Sequence, residues 1–318
     1  MAGRFISTHS VALVLPMHIA YMPGRGGSVH ADAASSRPGG GFTTLSAAAA
    51  MGVPAAMASP LGTGPNSFTV RQQLVEAGVS VLTPELVGDI GVVIQLIVED
   101  GSMTSVVTAG VESEPSRAVL DRIILQPGDT IHVAASDLTN PHSAKVLSEW
   151  GAELPESVTL VVSISPAVEQ VPVEAWRNLL GRADIVTMNV REATTLTSIL
   201  AGYRGGTAIR DLMRPGATTV RRLGSMGCEL QEGRDAPIVH IPAFQTTTAD
   251  TAGVGDTHIA EMCAGLLMGY ELADACLMAN AGAAITISHP SALPVPTLQQ
   301  VEAVLESGVV STVVPLRP

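Results

Sequence analysis

The sequence predicts an α/β protein with a doubly wound, mainly parallel sheet flanked by helices, together with a small β lid. Short apolar runs alternate with helix-length amphipathic stretches along most of the 318 residues, which is typical of a parallel sheet covered on both faces. Two stretches break this alternation, residues 16–42, which are rich in Gly, Pro and Ser, and residues 92–109. Strands that interrupt a βα rhythm tend to form a separate sheet, so these stretches predict the lid.

Periodicity predicts the individual strands and helices. The first apolar run is predicted to be the first strand, because Pro16 and His18 end it before it reaches the length of a secretory signal core. The predicted strands are Val11–Leu15, Pro54–Ala58, Val92–Val98, Thr130–Ala134, Val158–Ser163, Ile185–Met188 and Thr218–Arg222. The predicted helices include Ser67–Ala77, His142–Trp150 and Val190–Leu200.

The lid is predicted to contain a β-hairpin. Two strand-like runs meet at Glu99-Asp100-Gly101-Ser102, and Asp-Gly favours a tight hairpin turn. We therefore predict a core domain formed by residues 1–14, 43–91 and 113–318, and a lid formed by residues 15–42 and 92–112. Lid strands with free edges can pair with a second copy, so a homodimer through the lid is expected.

Composition indicates which kind of partner the protein has. The formal net charge is −12 and Lys145 is the only lysine, which argues against a nucleic-acid or anionic-membrane surface, because either needs clustered basic residues. The uncharged stretch 275–301 is interrupted by Asn280, His289 and prolines, which argues against a membrane span of about 20 apolar residues. A small-molecule partner is expected.

The cysteines and histidines do not form a recognisable metal or disulfide pattern. Cys228, Cys263 and Cys276 are an odd number without CxxC spacing, and in apolar helices cysteine behaves as a small hydrophobic residue. We expect reduced, structural cysteines and a cytoplasmic protein, because disulfides are rare in reducing compartments. The histidines contain no HxH or HxxxH pair, which argues against a zinc site.

The segment Asp250–Asp256 has the composition of an anion site with a base beside it. Helical periodicity after Asp256 places its Gly-Val-Gly turn at a helix N-terminus, where free N–H groups and the helix dipole favour negative charge. Asp256 suits a general base acting while a phosphoryl group is transferred, although it could instead be a capping carboxylate beside a tight turn. The residues predicted to surround the transferred group are Ala252, Gly253, Val254 and Gly255.

A second pair of polar residues follows the run Ile185–Met188. Asn189 and Glu192 lie on the first turn of a predicted helix, at the carboxyl end of a strand, where open α/β sheets bind ligands. Mg²⁺ takes one or two protein oxygens plus water and phosphate, so this sparse pair suits it. The alternative is a helix cap, with Asn189 at the N-cap and Glu192 at the third helical position.

In order and spacing these features resemble the PfkB/ribokinase family of carbohydrate and nucleoside kinases over nearly the whole chain. Asp250–Asp256 is similar to the family's C-terminal Asp-Thr-x-Gly-x-Gly-Asp signature, and Asn189–Glu192 to its Asn-x-x-Glu motif. Gly224–Gly227, which follows Arg222, is similar to its nucleotide-site turn. Pro38–Phe42 resembles its N-terminal glycine signature.

The resemblance implies a ribokinase-like fold and an ATP-dependent phosphotransferase that moves the γ-phosphoryl group to a hydroxymethyl group, with Asp256 as the base. It implies ATP and Mg²⁺ as cofactors, with Asn189 and Glu192 holding Mg²⁺ through water, and a monovalent cation such as K⁺ near Asp250 and Thr251. The residues implied to bind the nucleotide are Asn189, Glu192, Arg222, Gly224, Ser225, Gly227 and Asn280. The residues implied to bind the substrate are Val14, Gly40, Gly41, Thr43 and Asp256.

The departures from the family pattern fall on the substrate side. Val14 and Ser163 stand where aspartates are usual, and Thr43 stands where asparagine is usual. These changes predict a less polar acceptor, such as a nucleoside, because an unpaired buried polar group costs about 1–3 kcal/mol. The alternatives are a ligand-binding or regulatory protein on the same scaffold with weak or no turnover, and a nicotinamide-dependent dehydrogenase, although no GxGxxG follows the first strand.

Overall fold

The computed structural model describes residues 3–99, 102–202, 208–289 and 294–309. In this part of the chain the strands are β1 Phe5–Ser7, β2 Val11–Ile19, β3 Ala31–Ala34, β4 Arg37–Gly40, β5 Ala55–Met57, β6 Val79–Val81, β7 Val92–Val98, β8 Met103–Val107, β9 Thr130–Ala134, β10 Thr159–Ser163, β11 Ile185–Asn189, β12 Thr218–Arg222, β13 Cys228–Glu232 and β14 Val239–Ile241. The helices are α1 Gly41–Ala50, α2 Pro65–Glu76, α3 Arg117–Leu120, α4 Pro141–Ala152, α5 Val173–Arg182, α6 Val190–Ala201, α7 Ile209–Leu212, α8 Val254–Leu267, α9 Leu272–Ile287 and α10 Leu298–Ser307.

The main sheet has nine strands in the order β14-β13-β12-β11-β10-β9-β1-β5-β6. Neighbouring strands from β12 to β6 are parallel, whereas β13 pairs antiparallel with both β12 and β14. Strand β1 is internal, and its Phe5 pairs with Ala55 on one side and Thr130 on the other. Because β1, β5, β6 and β9 to β12 point the same way, their carboxyl ends form one edge of the sheet, where ligands bind in such folds.

Helices cover both faces of the main sheet. Successive residues of a strand point to opposite faces, so Phe5 and Ile6 belong to two different hydrophobic cores. The core around Phe5 includes residues of α1, α2, α8, α9 and α10, and the core around Ile6 includes residues of α3 to α7. This arrangement confirms the predicted doubly wound sheet.

A smaller sheet has the order β3-β2-β7-β8, with β4 also paired to β2. Strands β2 and β7 are parallel, and the other pairs are antiparallel. Strands β7 and β8 form the predicted hairpin, and Val98 N–H donates to the carbonyl oxygen of Ser102 at 3.0 Å. The predicted turn residues Asp100 and Gly101 lie outside the described residues.

The predicted strands agree with the structure except at the start of the chain. Strands β7, β9 and β12 have the predicted bounds. The prediction that Val11–Leu15 is the first strand is wrong, because β1 precedes it and Val11 begins a strand of the smaller sheet. Strand β1 has only three residues, which is too short for a period-2 pattern to be recognised. The smaller sheet therefore begins at Val11, whereas the predicted lid begins at residue 15.

The structure also gives information on membrane-spanning helices and on the cysteines. None of the helices in the described ranges combines the length and the apolar character that a bilayer crossing would require. Cys228, Cys263 and Cys276 are buried and free, and buried cysteine packs as a small hydrophobic residue.

Candidate active site

A cavity of about 600 Å³ lies at the carboxyl ends of the parallel strands, beside the N-terminus of α8. It is the place where the fold class predicts a ligand site. Its wall combines residues from the ends of β9 to β12 with residues of α8 and α9. The lining residues are His9, Ala134, Ser136, Ser163, Ile164, Ser165, Pro166, Asn189, Glu192, Arg222, Gly224, Gly227, Thr251, Gly253, Val254, Gly255, Asp256, His258, Ile259, Asn280, Ala283 and Ile287.

The predicted anion site lies on this wall at the start of α8. Gly253 is the N-cap residue with a left-handed φ of 70°, a conformation that glycine adopts without strain. Ala252 lies beside the cavity rather than on its wall, and its N–H donates to Asp250 Oδ1 at 2.9 Å. The first N–H groups of a helix have no intrahelical acceptor, so those of Val254 and Gly255 are available to an anion.

Asp256 is half-buried on the first turn of α8. Burial raises the pKa of its carboxyl, the positive charges of His9 and Arg222 lower it, and the charge of Asp137 raises it. The net pKa is above its usual value, which makes Asp256 a better proton acceptor near neutral pH. Thr44, which lies one residue beyond the predicted Thr43, also faces Asp256.

Asn189 and Glu192 form the helix cap that the sequence analysis gave as an alternative. The Asn189 N–H donates to Glu192 Oε2 at 2.7 Å, the Asn189 side-chain amide donates to Glu192 Oε1 at 2.8 Å, and the Glu192 N–H donates to Asn189 Oδ1 at 2.8 Å. Both residues also line the cavity. The cap fixes the Glu192 carboxylate at the cavity wall, so the two interpretations are compatible.

Arg222 is the last residue of β12, and its guanidinium enters the cavity. Its Nη2 donates to Glu192 Oε2 at 3.1 Å. A Cβ atom placed on Gly255 would lie 2.5 Å from Arg222 Nη1, so the guanidinium lies directly against the glycine turn at the start of α8. The cavity thus contains a positive charge between the residues predicted to bind nucleotide and those predicted to catalyse transfer.

The predicted nucleotide turn and Asn280 lie on a further part of the wall. Gly224 and Gly227 line the cavity, whereas Ser225 lies in the same turn but outside the lining. Gly227 has a φ of 92°, and a Cβ there would lie 2.1 Å from the Ile241 carbonyl oxygen, so only glycine fits. The Asn280 amide donates to the carbonyl oxygens of Ile241 and Pro242 at 3.2 and 2.9 Å.

Of the two residues predicted to hold a monovalent cation, Thr251 lines the cavity and Asp250 lies outside the lining. Thr251 is exposed. The Asp250 N–H donates to the Ile287 carbonyl oxygen at 3.3 Å, which ties the segment to the end of α9. No group of three or more His, Cys, Asp and Glu side chains in the described ranges is arranged to hold a metal ion, so a metal here would depend on water and phosphate for most of its ligands.

The residues predicted for substrate binding do not line the cavity, apart from Asp256. Val14 lies in β2 opposite Arg37, and Thr43 is buried in α1. Gly40 and Gly41 pack against the loop after β1, where a Cβ on either would lie within 2.6 Å of a backbone carbonyl oxygen. These two glycines therefore shape the site by allowing that loop to approach α1.

Polar residues that the sequence analysis did not propose as ligands form this side of the wall. His9 Nε2 is 3.2 Å from Ser136 Oγ, and His132 bridges Ser7 Oγ and Ser163 Oγ at 2.9 Å each. This part of the cavity wall therefore carries polar side chains, whereas Val14 and Thr43, from which a less polar acceptor is predicted, do not line the cavity. The sequence signal for these polar side chains is that polar residues lie at or just after the ends of the buried strands β1, β9 and β10.

A doubly wound sheet with a glycine-bounded helix N-terminus, a carboxylate and a second glycine turn around one cavity is an arrangement suited to an α/β phosphotransferase. Residues 10–298 match the family model of the pfkB carbohydrate kinases. The chain therefore belongs to this family and is an ATP-dependent kinase of small molecules, which excludes the dehydrogenase alternative.

Individual relatives agree with this assignment. The chain is 29% identical over 282 residues to the uncharacterized sugar kinase YegV of Escherichia coli strain K12, covering 88% of this chain and 87% of YegV. The structure resembles ribokinase of Thermotoga maritima, with a TM-score of 0.81 at 15% identity, covering 96% of this chain and 100% of that one. It also resembles a Burkholderia thailandensis nucleoside kinase in complex with inosine, with a TM-score of 0.74 at 16% identity, covering 96% and 98%. These structures confirm the ribokinase-like fold.

Proposed function

We propose that this protein transfers the γ-phosphoryl group of ATP to a hydroxymethyl group of a sugar or nucleoside, with Asp256 as the general base. The observation that carries the proposal is the position of Asp256. Its carboxyl has a raised pKa and lies at the glycine-bounded N-terminus of α8, so a proton acceptor and an anion site adjoin on one cavity wall. Both are needed for phosphoryl transfer to a neutral hydroxyl.

The reaction requires one proton transfer and one exchange of P–O bonds. The acceptor hydroxyl gives its proton to an Asp256 carboxylate oxygen as its own oxygen bonds to the γ-phosphorus. The bond between the γ-phosphorus and the oxygen that bridges to the β-phosphate breaks, and ADP leaves with that oxygen. The N–H groups of Val254 and Gly255 and the dipole of α8 stabilise the charge on the transferred group.

Mg²⁺ would neutralise the charge of the ATP phosphates. Glu192 fits this ion because its carboxylate is held at the cavity wall, and because Mg²⁺ usually keeps several waters. Its oxygens already accept hydrogen bonds from Asn189 and Arg222, which favours contact through water. We assign a monovalent cation such as K⁺ to the neighbourhood of Asp250 and Thr251.

The polar wall supports an acceptor with several hydroxyl groups. His9, Ser136, Ser163 and Ser165 lie on the cavity wall, and a hydroxyl can both donate to and accept from such side chains. Relatives include a protein named as a sugar kinase and a nucleoside kinase in complex with inosine. We therefore propose a sugar or the sugar part of a nucleoside as the phosphorylated group, and a homodimer that pairs the smaller sheets.

The test is a screen of sugars and nucleosides for acceptor-dependent ADP release with Mg²⁺ present. With a positive acceptor, Asp256→Asn is expected to lower kcat by about 10²–10⁴-fold while ADP binding and the fold are retained. Asp274→Asn is the matched control, because Asp274 is an exposed aspartate on the first turn of α9. Turnover that is equal in Asp256→Asn and wild type would refute the assignment of the base.

A further inference from the structure

Arg222 has an unusual environment for a surface strand terminus. Its side chain is only 14% exposed, and its Nε is buried without a hydrogen-bond partner among the described residues. Leaving a buried guanidinium donor unpaired is costly. The side chain therefore has hydrogen-bonding capacity that its one ion pair with Glu192 does not use.

The position of the guanidinium indicates what it could bind. Its Nη1 lies where a Cβ on Gly255 would be only 2.5 Å away, so it is beside the N–H groups proposed to hold the transferred phosphoryl group. Glu192 does not need Arg222 to stay in place, because Asn189 already donates to both of its carboxylate oxygens. An oxyanion in the cavity could therefore compete with Glu192 for the guanidinium.

Arg222 contributes a permanent positive charge to the surroundings of Asp256. Among the described residues that line the cavity, Arg222 is the only arginine and there is no lysine. Asp256 is affected by three charged neighbours from three elements, His9, Arg222 and Asp137, and Arg222 is the one of them that cannot lose its charge at accessible pH. Glu192 and His258 are the other titratable groups on this wall.

We infer that Arg222 is a catalytic residue whose guanidinium turns from Glu192 to the γ-phosphoryl oxygens of bound ATP and stabilises their charge during transfer. This inference rests on the proposed function. Guanidinium groups bind phosphate oxygens with two parallel hydrogen bonds. The Arg222 Nε has no hydrogen-bond partner among the described residues, and Gly255 has no side chain that would separate the guanidinium from the start of α8. From the sequence, Arg222 is expected only to bind nucleotide next to the turn Gly224–Gly227, whereas in the structure its guanidinium lies against Gly255 at the start of α8.

The experiment compares Arg222→Met, Arg222→Lys and wild type in kcat, KM for ATP and the pH profile of kcat. Arg222→Met is expected to lower kcat by about 10²–10³-fold and to move the acidic limb of the profile to higher pH, because Asp256 loses a nearby positive charge. Arg222→Lys is expected to restore part of kcat and the position of the limb. Because Arg222 already lowers the pKa of Asp256 while it is paired with Glu192, the shift of the limb reports only the lost charge, whereas the fall in kcat at its pH plateau and its partial recovery in Arg222→Lys report the contact with the transferred group.

The matched control is Arg221→Met. Arg221 is the preceding residue of β12, is 46% exposed and pairs with Glu229 outside the cavity, so its replacement is expected to leave kcat and the pH profile unchanged. Gly255→Ala is a second test, because its Cβ would displace the guanidinium. Its effect on kcat is expected to be much smaller in the Arg222→Met background than in wild type.

The outcomes separate this inference from the proposed function. If Asp256→Asn abolishes turnover while Arg222→Met keeps the wild-type kcat and pH profile, the role of Arg222 is refuted and the kinase mechanism stands. A rise in KM for ATP at unchanged kcat also overturns it, because the side chain would then only bind nucleotide. If Asp256→Asn keeps full turnover, the proposed base is refuted irrespective of Arg222.

Discussion

At the scale of single residues, His132 links the buried core to the part of the cavity wall that we propose binds the acceptor. The ring is fully buried, with Nδ1 2.9 Å from Ser7 Oγ and Nε2 2.9 Å from Ser163 Oγ. Burial, together with the positive charge of His9, lowers the pKa of His132 to about 3. The ring is therefore neutral in the folded protein and holds Ser163 at the cavity wall.

This lowered pKa predicts a loss of stability in acid. Below the unfolded pKa of about 6.5 the unfolded chain binds a proton at His132 that the folded protein does not, so the free energy of unfolding falls as the pH drops from 6.5 toward 3. Between pH 7 and pH 5 this group accounts for about 2 kcal/mol of that loss. His132→Asn should lose about that much less on the same acidification, as measured by urea unfolding at both pH values.

The control for His132 is His18→Asn, since His18 is exposed on β2. It is expected to show the acid sensitivity of wild type. Equal losses of stability in His132→Asn and wild type between pH 7 and pH 5 would contradict the prediction, whatever the stability of the variant at pH 7.

At the scale of elements, the pair of helices α8 and α9 contains a buried acid without a partner. Glu261 of α8 is fully buried, and both of its carboxylate oxygens lack hydrogen-bond partners among the described residues. It lies against Gly282 of α9, where a Cβ would be 1.7 Å from Oε2. Burial raises the pKa of this carboxyl well above its usual value, so the folded protein favours the neutral acid at Glu261.

Replacing Glu261 by methionine should stabilise the protein, and more so at high pH. Above the unfolded pKa of about 4.3 the unfolded chain releases the proton that the folded protein retains, so the penalty of Glu261 grows as the pH rises. We expect Glu261→Met to raise the free energy of unfolding by about 1–3 kcal/mol at pH 8, and by less at pH 5.5. Urea unfolding at the two pH values measures this difference.

The comparison variant for Glu261 is Glu302→Met, because Glu302 is exposed on α10. Its free energy of unfolding should stay within about 0.5 kcal/mol of wild type. A destabilised Glu261→Met at both pH values would show that the carboxyl has a stabilising partner and would refute the prediction.

At the scale of the whole molecule, the main sheet buries its two faces beneath helices, while the smaller sheet ends at the edge strand β8 in the described part of the chain. Strand β8 is the last strand in the order β3-β2-β7-β8, and its Val106 and Val107 are 52% and 67% exposed. An unprotected edge strand with exposed apolar residues invites pairing with another chain. The smaller sheet is therefore the surface through which we expect two copies to associate.

Light scattering tests the homodimer. The wild-type protein is expected to have the mass of two chains at micromolar concentration, and Val106→Lys combined with Val107→Lys is expected to give monomers, because charge on an edge strand opposes pairing. Val87→Lys serves as the control, since Val87 is 96% exposed and lies outside the smaller sheet. A wild-type monomer across this concentration range would contradict the expected assembly.

The fold class and the order of the motifs could be predicted from the sequence, because the patterns that indicate them are local. Periods of 2 and 3.6 are visible in short windows, so β7, β9 and β12 have the predicted bounds. The residues of Asp250–Asp256 predict the start of a helix, and α8 begins within this segment at Val254. Asn189 and Glu192 likewise form their cap within one helical turn.

Which distant residues share the cavity became visible only in the folded protein. His9 and Ser136 are separated by 127 positions, and Arg222 lies against Gly255 without any local pattern that pairs them. The structure also shows that Val11–Ile19 belongs to the smaller sheet and not to the main one. The sequence did not reveal this, because strand pairing depends on partners far along the chain. Local periodicity specifies the elements, whereas the contacts that build the site arise only when the sheet brings its strand ends together.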